Sequence, residues 1–362
     1  MNLKSLLFLY LSVLTFFYSS CKKNTDPPIK IVVDSIKVVP PGRFLHGIFI
    51  VHEGQFNHGN SSISYFNPDS SLIMNDLFTT INNRSLGDVA QSISYFNGKF
   101  YIVVNNSNKI EIVDQNFYST GVITNMIELP RYMLKINNKK AYVSQWGASG
   151  KGNIAIIDSA TNSVINRIPL GFGPEKMILY NNFVYVCNEG GFTNDSIISV
   201  IDISTDKVVT SIKVGYNPTG IQIDKNNKIW VLCKGMWKSD YSSLDKKGSL
   251  VQLDPIDNTV KSTIELSSAY TQPESLGLNQ SKDKLIFNYD SKVYELSITS
   301  SLPEVKINHS FYKLGVNPAN GDVYATDTKD FKSSGWLFRY NKLYLKVDSF
   351  KVSILPGEIM FN

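Results

Sequence analysis

The 362-residue chain has little cysteine and histidine, and it has no long apolar or basic run after its first twenty residues. Three cysteines are too few for a disulfide framework. No later stretch is long enough to cross a bilayer, and the lysines and arginines are scattered, so neither a membrane bundle nor nucleic-acid binding is indicated. No GxSxG, HExxH, P-loop or dinucleotide fingerprint occurs. The chain is therefore expected to be a globular protein without a catalytic signature.

The first twenty residues have the layout of a secretory signal peptide. Lys4 precedes an apolar run from Leu6 to Tyr18, and two serines stand directly before Cys21. The run of about thirteen residues is shorter than the roughly twenty that a spanning helix needs. Small residues before a cysteine are typical of bacterial lipoproteins, in which the cysteine carries the lipid. We expect residues 1–20 to be removed and Cys21 to be lipidated; simple secretion with Cys21 unmodified is the alternative.

Residues 21–43 contain two Pro pairs around one β-rich stretch, which is typical of a linker between an anchor and a body. Within it, Ile31 to Val39 is expected to form an edge strand or to complete a blade of the body. The body itself is expected to comprise residues 44–362.

Proline and aspartate recur along the body at a nearly constant interval. Pro130, Pro174 and Pro218 are 44 residues apart, and Pro273 follows after a longer loop. Aspartates that begin turns keep nearly the same interval: Asp114, Asp158, Asp202 and Asp254. Each unit holds four short β-rich runs separated by Asn-rich or Asp-rich turns. A period of about 45 residues with four strands is the signature of a propeller blade.

The repeats predict an all-β fold, a seven-bladed β-propeller of four-stranded antiparallel blades, because the 317 residues from His46 to Asn362 hold seven such units. The C-terminal run LPGEIMFN is expected to be the innermost strand of a blade whose other strands, GIFIVHEG, SISYFN and LIMNDLFTTI, come first in the body. This closure would leave no open sheet edge. The predicted blade starts are His46, Ser85, Pro130, Gly173, Asn217, Pro273 and Phe311.

The blocks from Pro218 to Trp230 and from Val200 to Gly215 resemble the YncE-like, YVTN-type β-propeller family. The opening GIFIVHEGQFNHGNSSISYFNP, Gly47 to Pro68, is similar to surface lipoprotein propellers that accompany outer-membrane nutrient transporters, one branch of which captures cobalamin. The resemblance implies the propeller fold and an exported binding protein. It implies no particular ligand, because no set of cobalamin contacts can be matched.

Long loops are expected to gather on one face of the propeller, where binding residues usually lie. The loops between the second and third strands are the long ones: Glu53 to Asn60, Gln145 to Gly152, Asn188 to Asp195, Lys234 to Lys247 and Asp327 to Ser334. The turns between the first and second strands are short. The long loops are rich in aromatic residues, which suit amphipathic ligands or partner proteins: Phe56, Trp146, Phe192, Trp237, Tyr241 and Phe331. Packing between neighbouring loops is the alternative role.

Polar residues are expected at the channel mouth on the same face. They are Arg131, Glu175, Lys176 and Glu274 from the starts of inner strands, and Glu53, Gln145, Glu189 and Lys234 from the long loops. Mixed carboxylate, amide and ammonium groups suit hydrogen bonding to a neutral or zwitterionic ligand. A solvated rim of unrelated charges is the alternative.

Metal sites have weaker support in the sequence. His46, His52 and His58 form the only histidine cluster, but glycines interrupt the strand that would align them. A channel cation of the kind held by propeller lactonases could draw ligands from the set Glu53, Asn105, Asn188, Glu189 and Asp290. Cys187 and Cys233 lie on strands of neighbouring repeats, but a one-residue offset is expected to point them to opposite sheet faces.

We therefore expect a cell-envelope lipoprotein, attached to the outer membrane and either periplasmic or surface-exposed. Its long-loop face would bind a small molecule or nutrient, a corrinoid being one candidate, or would dock on an outer-membrane transporter. The alternatives are a protein-interaction scaffold and, third, a metal-dependent lactonase or hydrolase. No cofactor and no nucleic acid is expected, and the body is expected to be monomeric.

Overall fold

The structure, a computed structural model, describes residues 42–362, so the predicted signal peptide, Cys21 and nearly all of the linker lie outside the described residues. These residues form seven four-stranded antiparallel sheets arranged as the blades of a propeller, which confirms the predicted fold class. Within the described part of the chain, no helix is long and apolar enough to cross a membrane.

The strands follow one order within each blade, from the channel outward. Blade one contains β30 (Pro356–Phe361), β1 (Ile48–His52), β2 (Ser62–Asn67) and β3 (Leu72–Met74). Blades two to four contain β4 (Ala90–Phe96), β5 (Lys99–Val104), β6 (Lys109–Val113), β7 (Ser119–Ile123), β8 (Pro130–Lys135), β9 (Lys140–Gln145), β10 (Lys151–Asp158), β11 (Ser163–Phe172), β12 (Pro174–Tyr180), β13 (Phe183–Asn188), β14 (Ile197–Asp202) and β15 (Lys207–Lys213).

Blades five to seven repeat the same arrangement. They contain β16 (Pro218–Ile223), β17 (Ile229–Cys233), β20 (Ser249–Asp254), β21 (Thr259–Glu265), β22 (Glu274–Leu278), β23 (Lys284–Tyr289), β24 (Lys292–Ser297), β25 (Glu304–Ile307), β26 (Lys313–Val316), β27 (Val323–Asp327), β28 (Ser334–Tyr340) and β29 (Lys346–Ile354). The strands β4, β8, β12, β16, β22, β26 and β30 contact one another in ring order and line the central channel.

The ring closes through the C-terminal strand, as the sequence predicts. Strand β30 pairs antiparallel with β1, with Ile48 opposite Phe361 and Ile50 opposite Ile359. The first and last parts of the body therefore share one sheet, and blade one has four strands like the other six.

The recurring prolines begin the innermost strands and pack on the preceding blade. A Cβ atom added at Gly152, in blade three, would lie 2.0 Å from Cδ of Pro174, in blade four. Gly248 and Pro273 repeat this close contact between blades five and six. At each of these junctions between blades, only a glycine leaves room for the proline ring. Proline itself is tolerated there because it stands at the first position of a strand.

Alternating side chains on the middle strands fill the spaces between neighbouring blades with apolar groups. Cys187 and Cys233 are both buried, unbonded and part of the same core cluster. The predicted opposite orientation within their own sheets is confirmed, but opposite faces of two adjacent sheets meet in one interface, so the offset does not separate the two thiols.

Two local predictions are also wrong. Only Leu72–Met74 of the run LIMNDLFTTI is a strand; the rest leads into helix α1 (Leu77–Asn82), because Leu77 and Phe78 are both buried in the core beside blade one. The predicted loop Lys234 to Lys247 contains a hairpin of two short strands, β18 (Met236–Trp237) and β19 (Leu244–Lys246).

Candidate functional site

Backbone hydrogen bonds join two kinds of loop at the same end of the propeller. In five blades, the residue after the second strand donates its N–H to the carbonyl of the residue before an innermost strand. The pairs are Glu53 with Leu355, Asn105 with Val89, Trp146 with Leu129, Glu189 with Gly173 and Lys234 with Asn217. We call this end the long-loop face and the opposite end the short-turn face.

Each accepting residue in these bonds has left-handed backbone, with φ between 45° at Leu129 and 57° at Gly173. Val89 and Leu129 hold this conformation without being glycine, which costs about 1 kcal/mol each. The backbone conformation at the channel mouth is therefore held by these hydrogen bonds in spite of its cost.

Acidic and basic side chains alternate around this mouth, in what we call the mouth network. Its members are Arg131, Glu175, Glu189, Lys234, Glu274 and Lys313. Arg131 Nε lies 2.7 Å from Glu175 Oε1. Lys234 Nζ lies 2.6 Å from Glu189 and 2.7 Å from Glu274, and Lys313 Nζ lies 2.9 Å from the other oxygen of Glu274. Five successive blades, three to seven, are thus linked by ion pairs.

A further ion pair crosses the channel below the mouth network. Lys176 Nζ, from blade four, lies 3.1 Å from Glu358, from blade one. These blades are not neighbours in the ring, so the pair spans the channel instead of following its wall. Lys176 also lies over the ring of Tyr132, 5.3 Å from its centroid.

Burial and neighbouring charges set the protonation of this end of the channel. Burial raises the pKa of Glu175 to about 7, even though Arg131 acts in the opposite direction. Burial also acts to raise the pKa of Glu274, but Lys313 and Lys234 outweigh it and hold that pKa at about 2. Burial acts to lower the pKa of Lys234, but Glu189 and Glu274 raise it above its ordinary value.

The predicted aromatic residues separate into an exposed group and a half-buried group. Phe56, Phe192, Tyr241 and Phe331 are between 54% and 77% exposed. Trp146 and Trp237 are half-buried. The indole of Trp146 packs between Arg131, 4.2 Å from its ring, and Phe192, 5.5 Å between centroids. Both expected roles, loop packing and exposure to a ligand, therefore occur within the set.

A groove of about 300 Å³ on the long-loop face brings together two of the predicted residues, Trp237 and Glu274. It is also lined by Tyr270, which is 71% exposed, and by Asn288. The side-chain oxygen of Asn288 is buried without a hydrogen-bond partner. The groove thus offers aromatic surface together with a carboxylate and a free amide oxygen.

Two predicted residues make internal contacts. Gln145 is fully buried, accepts a hydrogen bond from the backbone N–H of Glu128 and donates one to Asn153. Glu53 accepts a hydrogen bond of 2.9 Å from the hydroxyl of Tyr312. Gln145 is therefore turned away from the open face, whereas Glu53 extends the polar mouth from blade seven to blade one.

Sequence reasoning missed four residues of this region: Tyr270, Tyr312, Lys313 and Glu358. Glu358 stands two positions after Pro356, as Lys176 stands two positions after Pro174. Equivalent positions of inner strands point to the same part of the channel, so this repeat was a usable signal. Tyr270 lies in the loop that enters an inner strand. The prediction of aromatic binding residues rested on the long loops between second and third strands, so it did not include this loop.

The suggested metal ligands do not converge. No group of three or more His, Cys, Asp or Glu side chains within residues 42–362 is arranged to hold a metal ion. His52 is buried and bonded to Ser64 at 2.7 Å, and burial lowers its pKa to about 3, whereas His46 and His58 are exposed. From the lactonase-like set, Asn188 bonds Ser199, and Asp290 lies in an exposed turn.

Solved structures share the propeller fold at low sequence identity. A quinonprotein alcohol dehydrogenase-like protein from Bacteroides thetaiotaomicron is 17% identical, with a TM-score of 0.65, and the alignment covers 88% of this chain and 78% of that one. Hydrazine synthase from Kuenenia stuttgartiensis is 13% identical, with a TM-score of 0.55 and coverage of 68% and 74%. The computationally designed protein Ika8 is 10% identical, with a TM-score of 0.55 and coverage of 85% and 87%. At these identities the likeness concerns the fold alone.

No protein with curated annotation matches the chain in sequence. One family does match, over residues 46–352, and these residues include all but the last strand of the propeller. The chain therefore belongs to the family described as the domain of unknown function DUF5074.

Proposed function

We propose that this protein is a cell-envelope lipoprotein that binds a ligand or partner on the long-loop face of its propeller, without catalysing a reaction. The exposed aromatic side chains of that face carry the proposal. Loops seldom keep such large apolar groups in water, and aromatic residues on the loops of a rigid scaffold are typical of binding surfaces. The β-propeller fold is consistent with a binding or scaffold role.

The mouth network favours a neutral or zwitterionic ligand. Its charges are paired with one another, as Lys234 is with both Glu189 and Glu274. A strongly charged ligand would have to break such pairs, and buried pairs are costly to break. The groove beside Trp237 and Tyr270 adds the aromatic surface that an amphipathic ligand needs. A corrinoid, suggested by the resemblance to cobalamin-capturing lipoproteins, is the first ligand to test.

The entry point of the chain supports binding at the long-loop face of an anchored protein. Arg43 and Phe44 hydrogen-bond to Asn116 and Gln115, in the turn between β6 and β7 at the short-turn face. The first described residues thus contact the short-turn face. The long-loop face stays accessible to a nutrient or to an outer-membrane transporter.

A scaffold that docks on another protein without a small ligand is the second candidate. It is favoured by the spread of the exposed aromatics, since Phe56, Phe192, Tyr241 and Phe331 belong to blades one, four, five and seven. Such a wide distribution suits a partner that covers much of the face.

Ligand binding is tested by replacing residues 236–246 with a short Gly–Ser loop. This change removes Trp237 and Tyr241 but leaves every four-stranded sheet intact, because β18 and β19 pair only with each other. Cyanocobalamin, haemin, a ferric siderophore, glycans and divalent metals are screened by thermal shift, since a ligand of the folded state raises its melting temperature.

We expect at least one organic ligand to raise the melting temperature of the wild type and not that of the shortened variant. Equal shifts in both proteins would contradict binding at the groove. A rise in melting temperature with a divalent metal alone would favour the hydrolase alternative. No rise with any compound of the panel would favour the scaffold.

The anchor is tested separately by Cys21→Ser. We expect the wild type to fractionate with outer membranes and the variant to be released into the soluble fraction or to keep its signal peptide. An unchanged membrane fraction with a processed N-terminus would contradict lipidation at Cys21.

A further inference from the structure

The channel contains a second cavity, of about 570 Å³, whose residues differ from those of the long-loop groove. Its wall is formed by inner strands of blades three to seven and blade one. The lining also includes Gln280 and Lys282, in the turn between β22 and β23, and Pro318, in the turn between β26 and β27. These turns lie at the short-turn face, so the cavity opens there.

The ion pair between Lys176 and Glu358 forms the inner end of this cavity. Both residues line it, and their pairing spans the channel between blades four and one. Lys176 is the single residue among those predicted for ligand binding that reaches the cavity. The space is therefore distinct from the groove lined by Trp237 and Glu274.

Most side chains of the wall between the ion pair and the opening are apolar, although polar atoms make up about half of the accessible lining. Leu134, Ile178, Leu278 and Phe361 line it from four different blades, and each is only half-buried. Part of their apolar surface therefore faces the channel instead of being buried between blades. Covering such surface removes it from water, which is favourable, so an apolar group placed against these side chains would be stabilised.

The inner end offers hydrogen-bonding groups with no net charge. Lys176 and Glu358 neutralise each other, and both keep part of their side chains accessible, 32% and 26% respectively. Gln222 donates its amide N–H to the carbonyl of Leu276 at 3.0 Å, which leaves its own carbonyl oxygen as an acceptor. A charged ligand would have to separate the ion pair, whereas a hydroxyl or amide could bond to it intact.

We propose that the short-turn end of the channel binds a small, neutral, amphipathic molecule. Its apolar body lies along Leu134, Ile178 and Leu278, and its uncharged polar end bonds to Lys176, Glu358 and Gln222. A volume of about 570 Å³ is within the range of small-molecule sites. This site works independently of the long-loop face.

The test uses N-phenyl-1-naphthylamine, a neutral apolar fluorophore with one N–H group, and the purified protein. We expect saturable binding with one site per chain. Ile178→Phe and Leu278→Phe, made singly and together, fill the channel and are expected to weaken binding at least tenfold. Leu302→Phe is the matched control, because Leu302 is 77% exposed and lies outside the cavity; it should bind as the wild type does.

Competition then identifies the ligand class. We expect 1-decanol to displace the fluorophore at a concentration at least tenfold lower than decanoate does at pH 8. Melting temperatures of all variants are measured in parallel to show which of them are folded. If one of the two single Phe variants misfolds, the affinity of the other still tests the site. Absence of saturable binding, unchanged affinity in the folded filled variants, or stronger competition by decanoate would each overturn the proposal.

Discussion

Glu175 shows how a single residue at the channel mouth can make stability depend on pH. Its carboxyl is 2% exposed and bonded to Arg131, and burial raises its pKa to about 7. A glutamate whose pKa is higher in the folded state than in the unfolded state stabilises the fold while it is protonated. That contribution is present below about pH 4.5 and is lost as the pH rises through 7.

Glu175→Gln should remove this dependence, because the glutamine can still accept the hydrogen bond from Arg131 and does not ionise. Relative to the wild type, we expect the variant to gain up to about 3 kcal/mol of unfolding free energy between pH 4.5 and pH 8. Denaturant unfolding at several pH values measures this difference. A difference that stays constant with pH, or falls as the pH rises, would show that Glu175 is ionised throughout this range.

Residue positions at the mouth were predictable where they follow a repeated landmark. Arg131 and Glu175 each follow the proline that begins an inner strand, and both lie in the mouth network. Gln145 was predicted to lie at the mouth, but it precedes the residue that does so by one position. It ends its strand, as Asn188 does in the next blade, and both side chains are buried. The side chain that reaches the mouth is at the next position, the half-buried Trp146. Ion pairing across the channel could not be predicted, because it depends on distances between blades that are far apart in sequence.

At the scale of elements, the closing strand β30 links the two ends of the body. It supplies the innermost strand of blade one and contacts the inner strands of blades two and seven. Without it, β1 and the facing sides of both neighbours would expose buried apolar surface such as Ile50.

Truncation after Leu355 should therefore abolish cooperative folding, whereas deletion of Asn362 alone should lower the melting temperature by only a few degrees. Deleting Asn362 removes its backbone hydrogen bond to the carbonyl of Gly47 and its side-chain hydrogen bond to the carbonyl of Leu45, and each such bond contributes about 1 kcal/mol. Thermal unfolding followed by circular dichroism checks both variants. A cooperative transition in the longer truncation would mean that the ring is stable without closure.

The repeat made most strands predictable, and the exceptions have local causes. Helix α1 replaces part of a predicted strand because the left-handed backbone of Asp76, with φ of 53°, ends the extended run. Leu77 and Phe78 then pack into the core beside blade one. The hairpin of β18 and β19 was missed because its strands are only two and three residues long.

At the scale of the whole molecule, the two ends of the propeller differ in chemistry. The long-loop face carries exposed aromatic residues and the mouth network, and the short-turn face carries the entry of the chain and the opening of the apolar cavity. The ion pair of Lys176 and Glu358 lies between them.

The central claim, that the long-loop face is the binding face, is tested most directly by comparing two triple variants. One carries Phe192→Ser, Tyr241→Ser and Phe331→Ser. The other carries Ile256→Ser, Leu302→Ser and Leu343→Ser, which are equally exposed apolar residues in turns of the opposite face. The melting temperature of each protein is measured with and without the ligand panel, beginning with cyanocobalamin. We predict that a ligand raises the melting temperature of the wild type and of the second variant but not of the first. An equal rise in the first variant, or a loss confined to the second, would contradict the account.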